Sequence, residues 1–286
     1  MANLKELRSR ITSVSSTMQI TSAMKMVSAA KLNRAQDAIT KMRPYSQKLT
    51  ELLQSLSATL EGDTGSKYAE QREVNRVLIV AISSNRGLAG AFNTNIVKGV
   101  RQLVAEKYAG KEVEVLTLGK KAGDVLKKTL NISKANNAIY DTLDYAHVSE
   151  VAEDLMQLFL EEKYDEIVII YNQFKNAATQ IVTTEQFLPI QKFETDENIT
   201  LDYIFEPSKI EIVKDLIPKS LKMQLFKALS DSLAAEHGAR MTAMHKATDN
   251  ATELRNALKL SYNKARQASI TNEILEIVGG AEALNN

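Results

Sequence analysis

The two ends of this chain are long, poor in glycine and patterned for helix pairing, which restricts its architecture more than any other feature. Between Asn3 and Ser57 there is no Gly, and Pro44 is the only Pro. Leu4, Leu7, Ile11, Val14 and Met18 step by three and four residues, the spacing of a coiled-coil seam. The apolar stripe then shifts and resumes at Met24, Val27, Lys31, Ala35, Ala38 and Met42. A break of that kind changes the local winding of paired helices without ending them. Pro44 predicts a bend, because it lacks an N–H and crowds the preceding turn. At the other end Met244, Ala247, Ala251, Leu254, Leu258, Ser261, Ala265, Ala268, Asn272 and Leu275 alternate the same steps. That seam is rich in Ala, so its partner must approach closely. Gly238 is the one flexible residue in this helix, costing about 1 kcal/mol relative to Ala. Gly279 and Gly280 predict its end.

Two long helices with narrow apolar stripes at opposite ends of one chain pair most simply antiparallel. If the first leaves the pair near 57 and the second enters near 210, paired positions add to roughly 267. Asn3 then lies beside Lys264, and Met24 falls close to Arg240. The residues beyond have no partner in the chain and protrude as roughly 25–30 Å of helix. That tip carries Ile270, Ile274, Leu275, Ile277 and Val278. A lone helix so equipped needs apolar surface from another protein.

Residues 75–205 read differently. Val77-Leu78-Ile79-Val80-Ala81-Ile82 is the short apolar run of a strand buried on both faces. A turn at Ser83–Gly90 and a helix from Ala91 to Tyr108 follow. Glu112–Leu118 is a second strand, Lys120–Leu130 a helix, Ser149–Glu162 another helix and Glu166–Tyr171 a third strand. Thr179–Pro189 reads as an edge strand. Alternation of this kind predicts a small α/β domain with a mainly parallel sheet. Gly62-Asp63-Thr64-Gly65-Ser66 is the polar linker into it. The expected organisation is an N-terminal coiled-coil helix over 1–60, a central domain over 61–210 and a C-terminal coiled-coil helix over 211–286. Charge follows the same division: residues 1–57 carry +6, residues 219–278 carry +3 and the remainder −8.

Most chemistry is excluded by composition. The chain has no Cys and three His (His147, His237, His245), which removes disulfides, thiolate zinc sites and cysteine nucleophiles. His237 and His245 read as surface groups. The N-terminus lacks the apolar core of a signal peptide, and runs such as Val77–Ile82 are far short of the roughly 20 residues that span a bilayer. The expectation is a soluble protein on the cytoplasmic side. The strand, glycine turn and helix at 77–108 invite a nucleotide-binding reading but lack both the GxGxxG and GxxxxGK[ST] patterns. Gly119-Lys120-Lys121-Ala122-Gly123 is phosphate-friendly in composition, yet reads equally as a solvated helix start. Basic helices could engage nucleic acid; occupied seams, few aromatics and an acidic middle argue against it. An acidic protein surface around the coiled coil suits the same charge.

Three stretches together resemble the gamma subunits of F-type ATP synthases. Arg10–Val14 through Ile20–Val27 is similar to that family's opening helix, and Ser83-Ser84-Asn85-Arg86-Gly87-Leu88-Ala89-Gly90-Ala91-Phe92-Asn93 to its first central strand-turn. Ile270–Ala283 fills every defining position of the C-terminal signature, with Arg240–Met244 and Asp249–Ala251 extending the match upstream. Ser22 stands where many relatives have Lys, and Ala89 where Cys is common. The missing cysteines exclude the thiol regulation of chloroplast relatives, so the resemblance points to a bacterial source.

The resemblance implies a Rossmann-like central domain below an antiparallel coiled coil, and a non-catalytic rotor shaft without cofactors or metals. It implies coupling of transmembrane proton flow to ATP synthesis, and regulation of ATPase activity, at the cytoplasmic face of the inner membrane. The implied partners are the alpha and beta subunits, the epsilon subunit and the membrane ring of c subunits. By the same resemblance Met24, Arg240, Gln267, Thr271, Glu273, Ile274 and Ile277 are the expected contacts with the alpha/beta ring. The rival is a small α/β nucleotide-binding enzyme with a coiled-coil oligomerisation arm.

Overall fold

The computed structural model describes residues 4–58, 67–190 and 209–284, so the expected linker at Gly62–Ser66 lies outside the described residues. The chain forms two compact units. One is built from the chain up to Ser28 and from Met241 onward, the other from Ala29–Arg240.

In the second unit five strands stand in the order β3-β2-β1-β4-β5. They are β1 (Arg76–Ile82), β2 (Glu112–Leu118), β3 (Asn131–Asn136), β4 (Glu166–Phe174) and β5 (Gln180–Leu188). All neighbours are parallel except β5, which runs antiparallel along β4. The period of two along a strand sorts the side chains onto two faces. Val77, Ile79 and Ala81 meet α2 (Phe92–Glu106) and α3 (Lys120–Leu126) through Ile96, Val97, Val100, Ala122 and Leu126. Leu78, Val80 and Ile82 meet α4 (Tyr145–Leu160) through Val148, Ala152, Leu155 and Phe159. Leu221, Leu225, Ala228 and Leu229 join that second core from the long terminal helix, α5 (Lys209–Leu284). With both faces covered, the six residues Val77–Ile82 have no exposed surface, which is why they read as an unbroken apolar run.

Some boundaries differ from the sequence expectation. The helix expected over Lys120–Leu130 ends at Leu126, and β3 follows; its sequence NISKAN is a polar edge strand with no apolar run to announce it. The helix α4 begins at Tyr145 rather than Ser149, because Asp144 caps it by accepting the His147 backbone N–H at 2.9 Å. The first helix, α1 (Leu4–Ala58), continues through Pro44, and α5 continues through Gly279 and Gly280. Glycine weakens a helix without forbidding one.

The first unit is an antiparallel helix pair, and its seam corrects the expected one. On α1 the buried and half-buried positions Leu4, Leu7, Ile11, Val14, Met18, Thr21, Lys25 and Ser28 keep the three-four rhythm unbroken. Val27, expected inside, is 57% exposed. On α5 the inward positions are Met244, Thr248, Ala251, Arg255, Leu258, Tyr262, Ala265 and Ser269, whereas Leu254 is 52% exposed and Ser261 and Ala268 are exposed. Ala247 is half-buried beside Thr248, but Leu254, Ser261 and Ala268 each fall one residue before the inward position. The cause is chemical: the missed positions are filled by polar residues, some of which find partners across the pair. Thr21 and Thr248 hydroxyls lie 2.8 Å apart, while Thr252 Oγ1 and Arg255 Nη1 reach Met18 Sδ at 3.3 and 3.5 Å. These pairs add to between 269 and 273, against the expected 267.

Candidate functional site

Two surfaces combine the residues singled out from the sequence. The first is the end of α5, where every residue over 270–281 is exposed. Ile270 is 48%, Ile274 55%, Leu275 63%, Ile277 71% and Val278 54% exposed. Full burial of each such side chain contributes about 1.5–3 kcal/mol, so the tip holds unused binding energy. Its polar groups are tied along the helix: Thr271 Oγ1 donates to the Gln267 carbonyl at 3.0 Å, and Ser269 Oγ to Glu273 Oε1 at 3.3 Å. A Cβ built on Gly279 or Gly280 would meet nothing within 4 Å. Gln267, Thr271, Glu273, Ile274 and Ile277 are thus all exposed on the same helix, Gln267 within the paired stretch and the other four beyond it. Met24 is half-buried in the first unit and accepts the Ser28 hydroxyl at its carbonyl, at 2.8 Å.

Arg240 sits differently. It is 8% exposed, and its Nη2 is 2.7 Å from Glu236 Oε1 one helical turn away. The same nitrogen donates to the carbonyls of Arg86 and Gly87 at 3.3 and 3.5 Å. These carbonyls belong to the turn after β1, which is fastened at two further points. The Ser84 hydroxyl donates to the Arg86 carbonyl at 2.6 Å and accepts from Asn93 Nδ2 at 2.8 Å. Ala89, 2% exposed, packs with Phe92 against Ala235 and Ala239 of α5. Between these anchors Leu88 is 66% exposed at φ +62°. That left-handed conformation costs a leucine about 1–2 kcal/mol. Gly238 also acquires a reason beyond flexibility: a Cβ there would lie 3.1 Å from the Ala177 Cα, so its absence lets α5 approach the β4–β5 connection.

The electrostatics of this corner follow from burial. Burial pushes the Glu236 carboxyl above its ordinary range, against the pull of Arg240. His237, expected on the surface, is 8% exposed. Burial first, then the positive charges of Arg240 and Lys31, depress its pKa to about 4. It is neutral at pH 7, and its Nδ1 lies 3.5 Å from Arg240 Nη1. His147 and His245 are exposed and sit beside Asp144 and Asp249 at 2.7 and 3.2 Å.

The glycine turns are structural. In the 86–87 turn both carbonyls accept from Arg240 Nη2. At α3 the early amides are taken: Lys120 N–H by Asn85 Oδ1, Lys121 N–H by the Ser84 carbonyl and Ala122 N–H by Ser83 Oγ, at 3.0–3.1 Å. Gly119, at φ +103°, is required because a Cβ would fall 2.0 Å from the Ser83 carbonyl oxygen. Among the described residues no group of three or more His, Asp or Glu gathers as metal ligands, and no helix is long and apolar enough to cross a membrane.

A five-stranded α/β unit in one compact body and an antiparallel helix pair with an exposed apolar end in the other define the class of protein to which this chain is to be compared. The family model described as ATP synthase matches residues 3–284. The chain belongs to the ATP synthase gamma chain family. It is 76% identical over 285 residues to the ATP synthase gamma chain of Christiangramia forsetii, covering 100% of both chains. To that of Flavobacterium johnsoniae it is 68% identical over 286 residues, again with 100% of both covered. Among solved structures, a chain of the Euglena gracilis mitochondrial ATP synthase (OSCP, F1 and c-ring, rotational state 3) shares the fold. Its TM-score is 0.73 at 24% identity, over 98% of this chain and 94% of that one.

Sequence reasoning singled out Arg240 through resemblance but missed its hold on the 86–87 turn and the exposure of Leu88. The signal available was an apolar Leu between two glycines in an otherwise polar turn.

Proposed function

We propose that this chain is the rotating central shaft of a bacterial F-type ATP synthase, coupling proton flow across the membrane to ATP synthesis and modulating ATPase activity. The observation that carries this is the free apolar tip at the end of the helix pair, in a chain of the gamma family. The chain supplies no catalytic group; it supplies a surface that differs around its circumference. Alpha and beta subunits alternate around it, so each beta subunit meets a different face of the shaft and is biased toward a different nucleotide affinity. Rotation then moves that bias from site to site, a population shift imposed mechanically.

Met24, Arg240, Gln267, Thr271, Glu273, Ile274 and Ile277 are the positions through which the shaft meets or tunes the ring. The exposed tip supports the last four directly, since a bearing needs apolar surface that can be shared without a fixed partner residue. The α/β unit engages the epsilon subunit and the ring of c subunits at the cytoplasmic face of the membrane. The decisive experiment is co-expression with alpha and beta subunits, followed by native mass and ATPase measurement with and without this chain. One copy per three alpha and three beta, with activity that depends on it, is the expected result. A chain that stays alone or binds nucleotide by itself would return the reading to an α/β enzyme.

A further inference from the structure

We infer that Arg240 is a positioning residue: it holds the 86–90 turn against α5 so that Leu88, not Arg240, is the side chain offered to the ring. The inference rests on the rotor reading and adds a distinct element to it.

The guanidinium is 8% exposed and is committed on several sides within its own chain. Its Nη2 lies 2.7 Å from Glu236 Oε1 and also reaches the Arg86 and Gly87 carbonyls at 3.3 and 3.5 Å. The rigid, planar guanidinium holds that one nitrogen between a carboxylate and two carbonyls, a placement that a flexible ammonium reproduces less well. What it holds is a backbone that would not hold itself. Leu88 at φ +62° and Gly90 at φ +57° are both left-handed, and a non-glycine residue keeps such a conformation only where its surroundings over-determine it. Ala89, packed on Ala235 and Ala239, fixes one side of Leu88, and the carbonyls gripped by Arg240 fix the other. The consequence is a leucine 66% exposed on a rigid turn, close to Arg86, with Lys121 beside Gly87. That combination fits an apolar recess with carboxylates at its rim on a neighbouring subunit.

Two readouts separate positioning from direct contact. In the full chain, Arg240→Met is expected to speed amide exchange in the Ser83–Phe92 segment about tenfold while β1 and β2 stay protected. Arg240→Lys should restore part of that protection, because it keeps a charge for Glu236 but lacks the rigid planar placement against the two carbonyls. Should burial of a bare Glu236 unfold the single variant, Glu236→Gln with Arg240→Met removes both charges and asks the same question. In the reconstituted synthase, Leu88→Ser should leave exchange unchanged yet lower the number of ions pumped per ATP, as Arg240→Met does. The two together should be no worse than the more severe one. Unchanged exchange in Arg240→Met overturns the inference. So does Leu88→Ser that pumps normally beside an Arg240→Met that does not, since Arg240 would then act as a contact itself. A wild-type chain unable to restore pumping would strike at the rotor reading instead.

Discussion

At the scale of single residues, two positions carry sharp predictions. Gly119→Ala places a methyl group 2.0 Å from a carbonyl oxygen at φ +103°, a backbone region essentially reserved for glycine. The chain should lose about 3 kcal/mol or more in denaturant unfolding, and a loss below about 1 kcal/mol would show that the turn can relax. His237 titrates near 4 when folded, against its ordinary value of 6.5. As pH falls, the unfolded chain takes up this proton first. The stability contributed by neutral His237 is complete above pH 6.5 and is lost progressively toward pH 4. His237→Gln should therefore flatten the pH dependence of the denaturation midpoint in that interval, and parallel wild-type and variant curves would refute it. Neither feature was readable from the sequence. His237 lies in polar, helix-forming surroundings that give no sign of its burial. The carbonyls that Arg240 grips are 153 and 154 residues away.

At the scale of elements, helices and strands were legible where apolarity marks the buried side. The strands β1, β2, β4 and β5 and the helix α2 stand within a few residues of their expected places, because a run or stripe of apolar residues declares each. The polar edge strand β3 and the polar half of the coiled-coil seam were hidden, since their positions are set by partners across the interface. The corrected seam has a direct test. Leu254→Asp should change stability by less than about 0.5 kcal/mol, because the side chain is already in water. Leu258→Asp should cost about 1–3 kcal/mol, because it forces a charge into the pair. Equal effects in thermal melting would restore the earlier register. The Thr21–Thr248 pair adds a second test. Each hydroxyl also reaches a carbonyl of its own helix, Met18 at 3.1 Å and Met244 at 2.8 Å. Either Thr→Val change alone should therefore destabilise by about 0.5 kcal/mol, while both together should cost no more than either alone. Additive losses in that cycle would mean the hydroxyls do not act as a pair.

At the scale of the whole molecule, the division of labour was readable from the outset: two helical ends, one α/β middle and a tip too long to be paired within the chain. Removing the residues after Thr271 should leave the melting temperature within about 2 °C, because residues 272–281 are exposed along the helix. The same deletion should weaken assembly and torque, read as ATP synthesis by the reconstituted complex. Undiminished synthesis would count against the bearing. The contact surface itself was less legible, because exposure within one chain is a property of the fold and not of composition. Met24 and Arg240 look alike in sequence to the residues of the tip, yet one is half-buried and the other enclosed.

The unbroken three-four rhythm of α1 has a mechanical corollary. A seam repeating every 3.5 residues on helices of 3.6 residues per turn makes the two strands wrap around each other in a left-handed sense. Like laid rope, such a pair is tightened by twisting one way and slackened by twisting the other. Its torsional stiffness therefore depends on direction, so in the proposed rotor synthesis and hydrolysis, which would turn the shaft oppositely, load two different springs.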